Sequence, residues 1–313
     1  MKNNKQLHLV LGGSGAIGQT VINELQEKGL SVKAVERSKK VKNIETIQAD
    51  LLNFEETRKA ILGVTHVYLC VGLPYNSKVW IKQWPILVKN VIDACSEVKA
   101  KLIFFDNVYM YGKPPLSNPF NEEEKQNPQS TKGKVRKIIA DMILEAHKSN
   151  KIEAVIGRSA DFYGPNAINS SLYINFLQKI LENKNPGWLG RANQEHTYAF
   201  TKDNGRALVE LALDDSTYGE VWHLPAGEKI KIEQVLDIIN KELNSDYKIS
   251  FMSRFMLNIL SFFIPILKEV KEMLYQFDNT YNMSWDKFNK KFPDFKVTSY
   301  EKGIVEMIQS FKK

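Results

Sequence analysis

Residues 7–18 read Leu-His-Leu-Val-Leu-Gly-Gly-Ser-Gly-Ala-Ile-Gly, a short apolar run that leads into closely spaced glycines. Residues 16–28 then carry apolar side chains at helical spacing, and Gly29 supplies a stop. A strand, a glycine-rich turn and a helix in this order leave backbone amides free to hold a phosphate. The stretch therefore predicts a βαβ unit whose first turn binds a dinucleotide.

The glycines fit a phosphate cradle in two registers. Gly12, Gly15 and Gly18 make one of them, and Gly13 takes the place of Gly12 in the other. In either register the turn needs a residue that tolerates positive φ, a position without a Cβ against the pyrophosphate, and a small residue where helix meets strand. The predicted cofactor-binding residues of this turn are Gly12, Gly13, Ser14, Gly15, Ala16, Ile17 and Gly18.

The same alternation of short apolar runs and amphipathic windows continues to about residue 160. Runs typical of buried parallel strands lie at 7–11, 32–36, 46–49, 66–71, 101–105 and 154–157. Windows typical of helices lie between them, for example at 16–28, 88–98 and 135–147. We therefore predict an α/β fold, with a Rossmann-type doubly wound parallel sheet in residues 1–165. A smaller C-terminal substrate region, partly interleaved with that sheet, is predicted for residues 166–313.

Composition narrows the classes of partner. The chain has 313 residues, and its 43 Lys and Arg against 36 Asp and Glu give a net charge of +7, which favours small anionic ligands over a nucleic-acid surface. Cys70 and Cys95 lie in apolar stretches, and the five histidines lack metal-ligand spacing. We therefore expect a small-molecule substrate, no nucleic acid, no metal and a reducing, cytoplasmic location.

The longest apolar segment, residues 255–267, is too short to span a membrane. It has about 13 residues, including Asn, Ser and Pro, where a spanning helix needs roughly 20. We predict a buried or interfacial helix pair here, and no membrane partner. The apolar run at 7–11 is likewise too short for an export signal.

The choice between NAD and NADP depends on the end of the second strand. Glu36 offers a carboxylate suited to a ribose 2′-OH, and Arg37 offers a guanidinium suited to a 2′-phosphate. Both cofactors stay open, with a slight preference for NADP because Lys39 and Lys40 make the loop more positive. Further cofactor contacts are expected after the third and fourth strands, from Asp50, Leu51, Val71 and Gly72.

Several ordered motifs together resemble the extended short-chain dehydrogenase/reductase superfamily, of the epimerase/dehydratase type, over essentially the whole chain. The matching segments are 12–18, 50–51, 108–112, 157–165 and 196–203. The resemblance implies NAD(P)-dependent chemistry on a small carbonyl, hydroxyl or sugar-like substrate. It also allows a homodimer that pairs through helices near residues 84–98 and 135–147.

The resemblance breaks at the acid/base residues. That family has a Ser or Thr after the fifth strand and a Tyr-x-x-x-Lys on the next helix, and these positions hold Asn107, Lys132 and Arg136 here. No Tyr lies between Gly112 and Arg158, so a small shift of register cannot restore the motif. Lys132 and Arg136 share a helix face, where they either hold a ribose, a phosphate or an acidic substrate or form a solvated basic helix start.

Tyr109 is our first candidate to replace the missing acid/base. It lies two residues from Asn107 in a segment that we expect to be extended, so both should project to the same side. The resemblance also implies contacts from Ser159 and Asp161 to the nicotinamide carboxamide. Substrate contacts are predicted for Tyr75, Tyr163, His196 and Tyr198. The competing hypothesis is a non-catalytic NAD(P)-binding sensor or regulatory protein in which occupancy is the signal.

Overall fold

The computed structural model describes residues 6–312. Its strands are β1 (Leu7–Leu11), β2 (Ser31–Glu36), β3 (Thr46–Gln48), β4 (His66–Leu69), β5 (Lys101–Asn107), β6 (Ala154–Ser159), β7 (Asp161–Tyr163), β8 (Gly187–Trp188), β9 (Glu195–His196), β10 (Tyr198–Phe200), β11 (Val221–His223), β12 (Ile230–Lys231) and β13 (Ser250–Phe251). Its α-helices are α1 (Ala16–Glu27), α2 (Phe54–Ile61), α3 (Ser77–Val98), α4 (Thr131–Lys148), α5 (Gln178–Leu181), α6 (Thr201–Leu213), α7 (Ile232–Leu243), α8 (Arg254–Phe263), α9 (Pro265–Lys271), α10 (Tyr275–Asp278), α11 (Asp286–Lys291) and α12 (Tyr300–Phe311).

Seven strands form one parallel sheet in the order β11-β6-β5-β4-β1-β2-β3. The chain order reverses between β1 and β4, so the connections from these two strands leave in opposite directions. A crevice opens at such a point, above the carboxyl ends of the strands, and it is where α/β sheets bind ligands. The predicted Rossmann-type fold is confirmed.

Helices cover both faces of the sheet. α1 and α6 pack together on one face, where Val21, Leu25 and Leu208 are buried, and α2, α3 and α4 cover the other. Both α6 and the edge strand β11 come from the second half of the chain, and β11 pairs with β6. The C-terminal half therefore completes the sheet, while the boundary near residue 165 stays a prediction.

Two helices that border the crevice begin earlier than predicted. α3 begins at Ser77, where the Asn76 side chain accepts a hydrogen bond from the Val79 N–H, and it continues through Pro85. α4 begins at Thr131, because the Ser130 side chain caps it. Lys132 therefore lies inside the first turn of α4.

The apolar segment forms the predicted pair of helices, α8 and α9, and of the two predicted alternatives, buried or interfacial, their exposure excludes burial in the core. Leu257 is buried, whereas the large apolar side chains on the other face of α8 are exposed. Within residues 6–312, no helix is long and apolar enough to cross a membrane.

Two stacked histidines lie at the amino ends of the neighbouring strands β1 and β4. The rings of His8 and His66 stack at 4.6 Å between centroids. Burial lowers the pKa of both to about 4, helped for His8 by the charge of His66 and for His66 by that of Lys101. Both rings are therefore neutral in the folded chain at neutral pH.

We expect acid to destabilise the protein through this pair. Above pH about 6.5 the histidines are neutral in both folded and unfolded chains, so their contribution to stability is complete. As the pH falls from about 6.5 towards 4, only the unfolded chain takes up protons, which costs up to about 3 kcal/mol of stability per histidine. Urea unfolding across this interval measures the slope. Burial lowers the pKa of His223 to about 3, so that residue adds to the same slope. The double variant His8→Phe, His66→Phe should therefore reduce the slope without removing it, and an unchanged slope would exclude a role for the pair.

Candidate active site at the carboxyl edge of the sheet

The glycine turn after β1 uses the register of Gly12, Gly15 and Gly18. Gly12 has φ +83°, and its carbonyl oxygen accepts the Gly15 N–H at 3.1 Å. A Cβ at Gly18 would overlap that same oxygen, so the close approach of α1 to the turn requires glycine there. Gly13 packs inward against Ala34 and Ile22. The fold itself therefore needs all of these glycines except Gly15.

Gly15 stands open at the start of α1. Its φ of −72° suits any residue, and a Cβ there would meet only the Gly12 carbonyl oxygen, at 3.3 Å. As the N-cap residue it has no side chain to bond the first amides of α1. Those N–H groups and the positive end of the helix dipole point into the crevice, which is the arrangement that holds a diphosphate.

Glu36, at the end of β2, turns towards the glycine turn. Its carboxylate accepts the Ser14 N–H at 2.5 Å, so it lies beside the cradle as the cofactor prediction requires. Arg37 is exposed. A carboxylate in this position accepts hydrogen bonds from ribose hydroxyls and repels a 2′-phosphate.

The other predicted cofactor residues border the same crevice with different degrees of access. Asp50 accepts the Leu52 N–H on one carboxylate oxygen, at 3.0 Å. Leu51 is buried, and its carbonyl oxygen accepts a bond from Asn90 of α3 at 3.0 Å. Val71 lies against Gly12, and Gly72 has open space beyond its Cα. The loop after β4 therefore begins beside the glycine turn, and its contact with a cofactor stays a prediction.

Lys132 lies in a buried cluster and does not form the solvated helix start weighed from the sequence. Its side chain is 0% exposed, and its Nζ pairs with Glu269 and, at 2.8 Å, with Glu272. Nζ also lies 3.1 Å from the Ser77 hydroxyl and 4.4 Å from the ring centre of Tyr75. Because its charge is already compensated, Lys132 is not available to hold a phosphate or an acidic substrate.

The two glutamates also cap the helices that border the crevice. Glu269 accepts the Ser77 N–H of α3 at 3.0 Å, and Glu272 accepts the Thr131 N–H of α4 at the same distance. Burial works to raise the pKa of Glu269, but hydrogen bonds from Lys132 and Ser77 outweigh it and lower that pKa. The cluster therefore ties α9 to the starts of α3 and α4.

Arg136 is likewise internal. Its Nε donates to Asp106 at 2.8 Å, and Asp106 also accepts from Arg158 at 3.2 Å. All three side chains are buried. Arg136 therefore stabilises the end of β5 through its ion pair with Asp106. The ligand-binding role considered for Arg136 is not supported.

Tyr109 does reach the crevice, by a different geometry from the one predicted. β5 ends at Asn107, and Tyr109 begins a short 3₁₀ turn, so the segment is not extended. The Asn107 side chain accepts the Tyr109 N–H at 3.1 Å, which fixes that turn. The Tyr109 ring stacks on Trp80, and the Tyr75 ring packs edge-on against the same Trp80 ring. Burial raises the pKa of both phenols, so both are protonated at neutral pH.

Asp161, the first residue of β7, forms a pair with His196, the last residue of β9. His196 Nε2 lies 2.8 Å from the Asp161 carboxylate, and His196 Nδ1 is buried without a partner among residues 6–312. A cavity of about 10 Å³, roughly the space of one water, borders His196. The negative charge of Asp161 also raises the pKa of Tyr75 and Tyr109, so all of these groups belong to one site.

Three predicted site residues lie in the interior. The Ser159 hydroxyl donates to the Ala160 carbonyl oxygen and accepts from the Asn204 side chain of α6. Tyr163 is packed between Phe200 and Tyr300. Tyr198 is buried in the same C-terminal core, with only its contact to the His196 ring on the side of the site. Burial leaves Ser159 and Tyr163 no access to a ligand.

The residues that sequence reasoning missed are Ser77, Glu269 and Glu272. The glutamates are three apart, which puts them on one helix face, but nothing local connects them to Lys132, 137 residues away. Their spacing predicts that the two glutamates share a helix face, but it gives no information about their contact with Lys132.

Comparison with known proteins agrees with this geometry. The family model for the NAD dependent epimerase/dehydratase family matches residues 8–223. The chain is 23% identical over 328 residues to the mouse (Mus musculus) sterol-4-alpha-carboxylate 3-dehydrogenase, decarboxylating, covering 96% of this chain and 90% of that one. It is 22% identical over 269 residues to UDP-N-acetyl-alpha-D-glucosaminuronate decarboxylase of Bacillus cytotoxicus, covering 78% and 83%.

A solved structure shows the same fold. UDP-glucuronic acid 4-epimerase from Bacillus cereus, crystallised with UDP-glucuronic acid and NAD, superposes with a TM-score of 0.81 at 18% identity. The match covers 98% of this chain and 99% of that one. The likeness therefore extends through the C-terminal region as well as the sheet.

Proposed function

The chain belongs to the NAD dependent epimerase/dehydratase family, and from that premise we propose that it is an NAD-dependent enzyme that oxidises or reduces a hydroxyl or carbonyl carbon of a sugar-like substrate. The observation that carries the proposal is the open Gly15 position before the uncapped amides of α1, with the Glu36 carboxylate beside it. The diphosphate would lie on those amides, and Glu36 would accept the ribose hydroxyls. When bound, the dinucleotide supplies a hydride acceptor or donor.

The proposed proton donor and acceptor is Tyr109. Its hydroxyl is protonated at neutral pH, and its ring shares the Trp80 contact with Tyr75, so Tyr109 can exchange a proton with a bound substrate. Asp161 faces the same phenols and, with His196, can accept a proton from them. Asn107 positions Tyr109 by holding its backbone N–H.

The substrate class follows from the cavity beside this site. A space of about 420 Å³ borders Glu272 and Tyr275, and Lys113, Arg191 and Lys271 line it. These cations suit a phosphate-bearing substrate. Two of the similar proteins named above, the decarboxylase and the 4-epimerase, carry UDP-linked sugars in their names. We therefore place a nucleotide sugar first among candidate substrates.

The experiment is a turnover assay on the purified chain with NAD⁺ and a panel of nucleotide sugars and simple secondary alcohols. Formation of NADH, or conversion of a sugar without net NADH, supports the enzyme.

The second candidate function is an NAD-binding sensor. It is favoured by Lys132, which stands at the position of the family's tyrosine and whose charge is neutralised by Glu269 and Glu272. Tight NAD binding with no conversion across the panel supports the sensor.

The choice of cofactor is testable at Glu36. We expect Glu36→Ala to weaken NAD⁺ binding about 10- to 150-fold, because hydrogen bonds to a charged acceptor contribute roughly 1.5–3 kcal/mol. The same change should reduce the preference for NAD⁺ over NADP⁺, because no carboxylate would then repel a 2′-phosphate. Fluorescence titration with both reduced cofactors measures this, with Arg37→Ala as the matched control. If instead Arg37→Ala weakens NADP⁺ selectively and Glu36→Ala leaves NAD⁺ unaffected, the enzyme uses NADP.

A further inference from the structure

α8 presents its apolar face outward. Large exposed apolar side chains lie on α8, at Ile264 after it and at Ile266 in α9. Together they form the apolar tip, which consists of Phe255, Met256, Ile259, Phe262, Phe263, Ile264 and Ile266. Those on α8 fall within about a third of the helix circumference at 100° per residue. Phe262 is 92% exposed and Phe263 78%, so both rings protrude from the surface. A contiguous apolar patch of this kind marks an interaction site.

The charges of α9 are sorted between its two sides. Glu269 and Glu272 turn inward to Lys132, Ser77 and the start of α4. Lys268 and Lys271 remain exposed on the outer side. The apolar tip is therefore flanked by positive charge, while the acidic residues of the same helix are sequestered.

We propose that the apolar tip inserts into the interface of an anionic lipid bilayer, with Lys268 at the level of the headgroups, while Lys271 lines the cavity beside the candidate site. Aromatic and aliphatic side chains next to lysines are the composition of helices that lie in a membrane surface. Each lysine near an anionic surface adds to the attraction, and the overall charge of +7 acts in the same direction. Because the tip would lie in one leaflet, the proposal needs no membrane-spanning helix, and none is found among residues 6–312.

Charge separates this occupant from a second copy of the chain. Two apolar tips packed on each other would bring their flanking lysines together, which is unfavourable, whereas anionic headgroups complement them. The protruding shape of Phe262 and Phe263 also suits penetration between lipids. The attachment of α8 is firm, because Leu257 is buried and Arg254 forms an ion pair with Asp278.

The test is co-sedimentation of the full chain with phosphatidylcholine vesicles that contain or lack phosphatidylglycerol. We expect binding to the anionic vesicles, weakened at least about tenfold by Phe262→Ser with Phe263→Ser, since each ring removes a large apolar area from water. Lys268→Glu should weaken binding to anionic vesicles and leave neutral vesicles unchanged. Leu62→Ser removes a side chain that is 68% exposed elsewhere and should have no effect.

Two results would overturn the proposal. One is the absence of sedimentation with either vesicle, or sedimentation that the paired serine variant does not reduce. The other is a dimer, seen by light scattering without lipid, that the serine variant converts to monomer, which would assign the tip to a second copy. Thermal unfolding of the serine variant checks that it folds, and because the tip is exposed we expect no loss of stability.

Discussion

Replacing Gly15 by Asp should abolish dinucleotide binding without unfolding the protein. Asp is a favoured N-cap residue, and the backbone of Gly15 already has the extended φ and ψ that such a residue adopts. The added carboxylate would accept the amides that the diphosphate needs and would repel its charge. Calorimetric titration with NAD⁺ should show at least about a hundredfold loss of affinity, with a melting temperature equal to or above that of the wild type.

The matched control for this change is Gly187→Asp, at a second glycine where a Cβ meets only the Ser250 carbonyl oxygen, at 3.8 Å. It should bind NAD⁺ normally. Gly18 is unsuitable, because a Cβ there overlaps the turn and would test the fold. Retained affinity in a folded Gly15→Asp protein would show that the cradle is not the cofactor site.

Tyr109→Phe should lower kcat by about 10²–10⁴-fold, the usual contribution of a positioned acid/base group. The variant keeps the ring that stacks on Trp80 and removes only the hydroxyl. We therefore expect unchanged NAD⁺ affinity and an unchanged melting temperature. Steady-state kinetics on the substrate found in the panel separate kcat from KM.

The control for Tyr109 is Tyr218→Phe, which removes a hydroxyl that bonds the Ala212 carbonyl oxygen on the far side of the sheet. It should leave kcat unchanged. If Tyr109→Phe turns over at the wild-type rate, the proton passes through another group, and Asp161→Asn becomes the next variant to test.

The cradle was predictable because its determinants are local. A run of apolar residues, a turn that needs glycine and a helix lie within residues 7–28, so spacing alone specifies them. Structure was needed to choose between the two registers, since only the fold shows that Gly12 takes a positive φ whereas Gly13 packs inward against Ala34.

The acid/base region was less predictable because its contacts are distant in sequence. Lys132 and Arg136 looked available as cations, and the structure neutralises them with Glu269, Glu272 and Asp106. Pairing across more than a hundred residues leaves no periodic signal. Tyr109 was placed in the right loop but in the wrong conformation, because the strand before it continues to Asn107.

The orientation of α8 shows a different limit. Helical periodicity identifies an apolar face, and the usual inference is that this face packs on the core. Here Leu257 on the opposite side is buried and the apolar face meets solvent. Which side of a helix faces inward depends on the elements around it, and the sequence of the helix does not contain that information.

We expect the open amides at the start of α1 to hold a nicotinamide dinucleotide. The most direct measurement is isothermal titration of the intact, folded chain with NAD⁺, followed by the same titration with NADP⁺. We expect saturable binding of one NAD⁺ per chain and weaker binding of NADP⁺. No saturable heat with either dinucleotide, from protein shown to be folded by circular dichroism, would contradict this expectation.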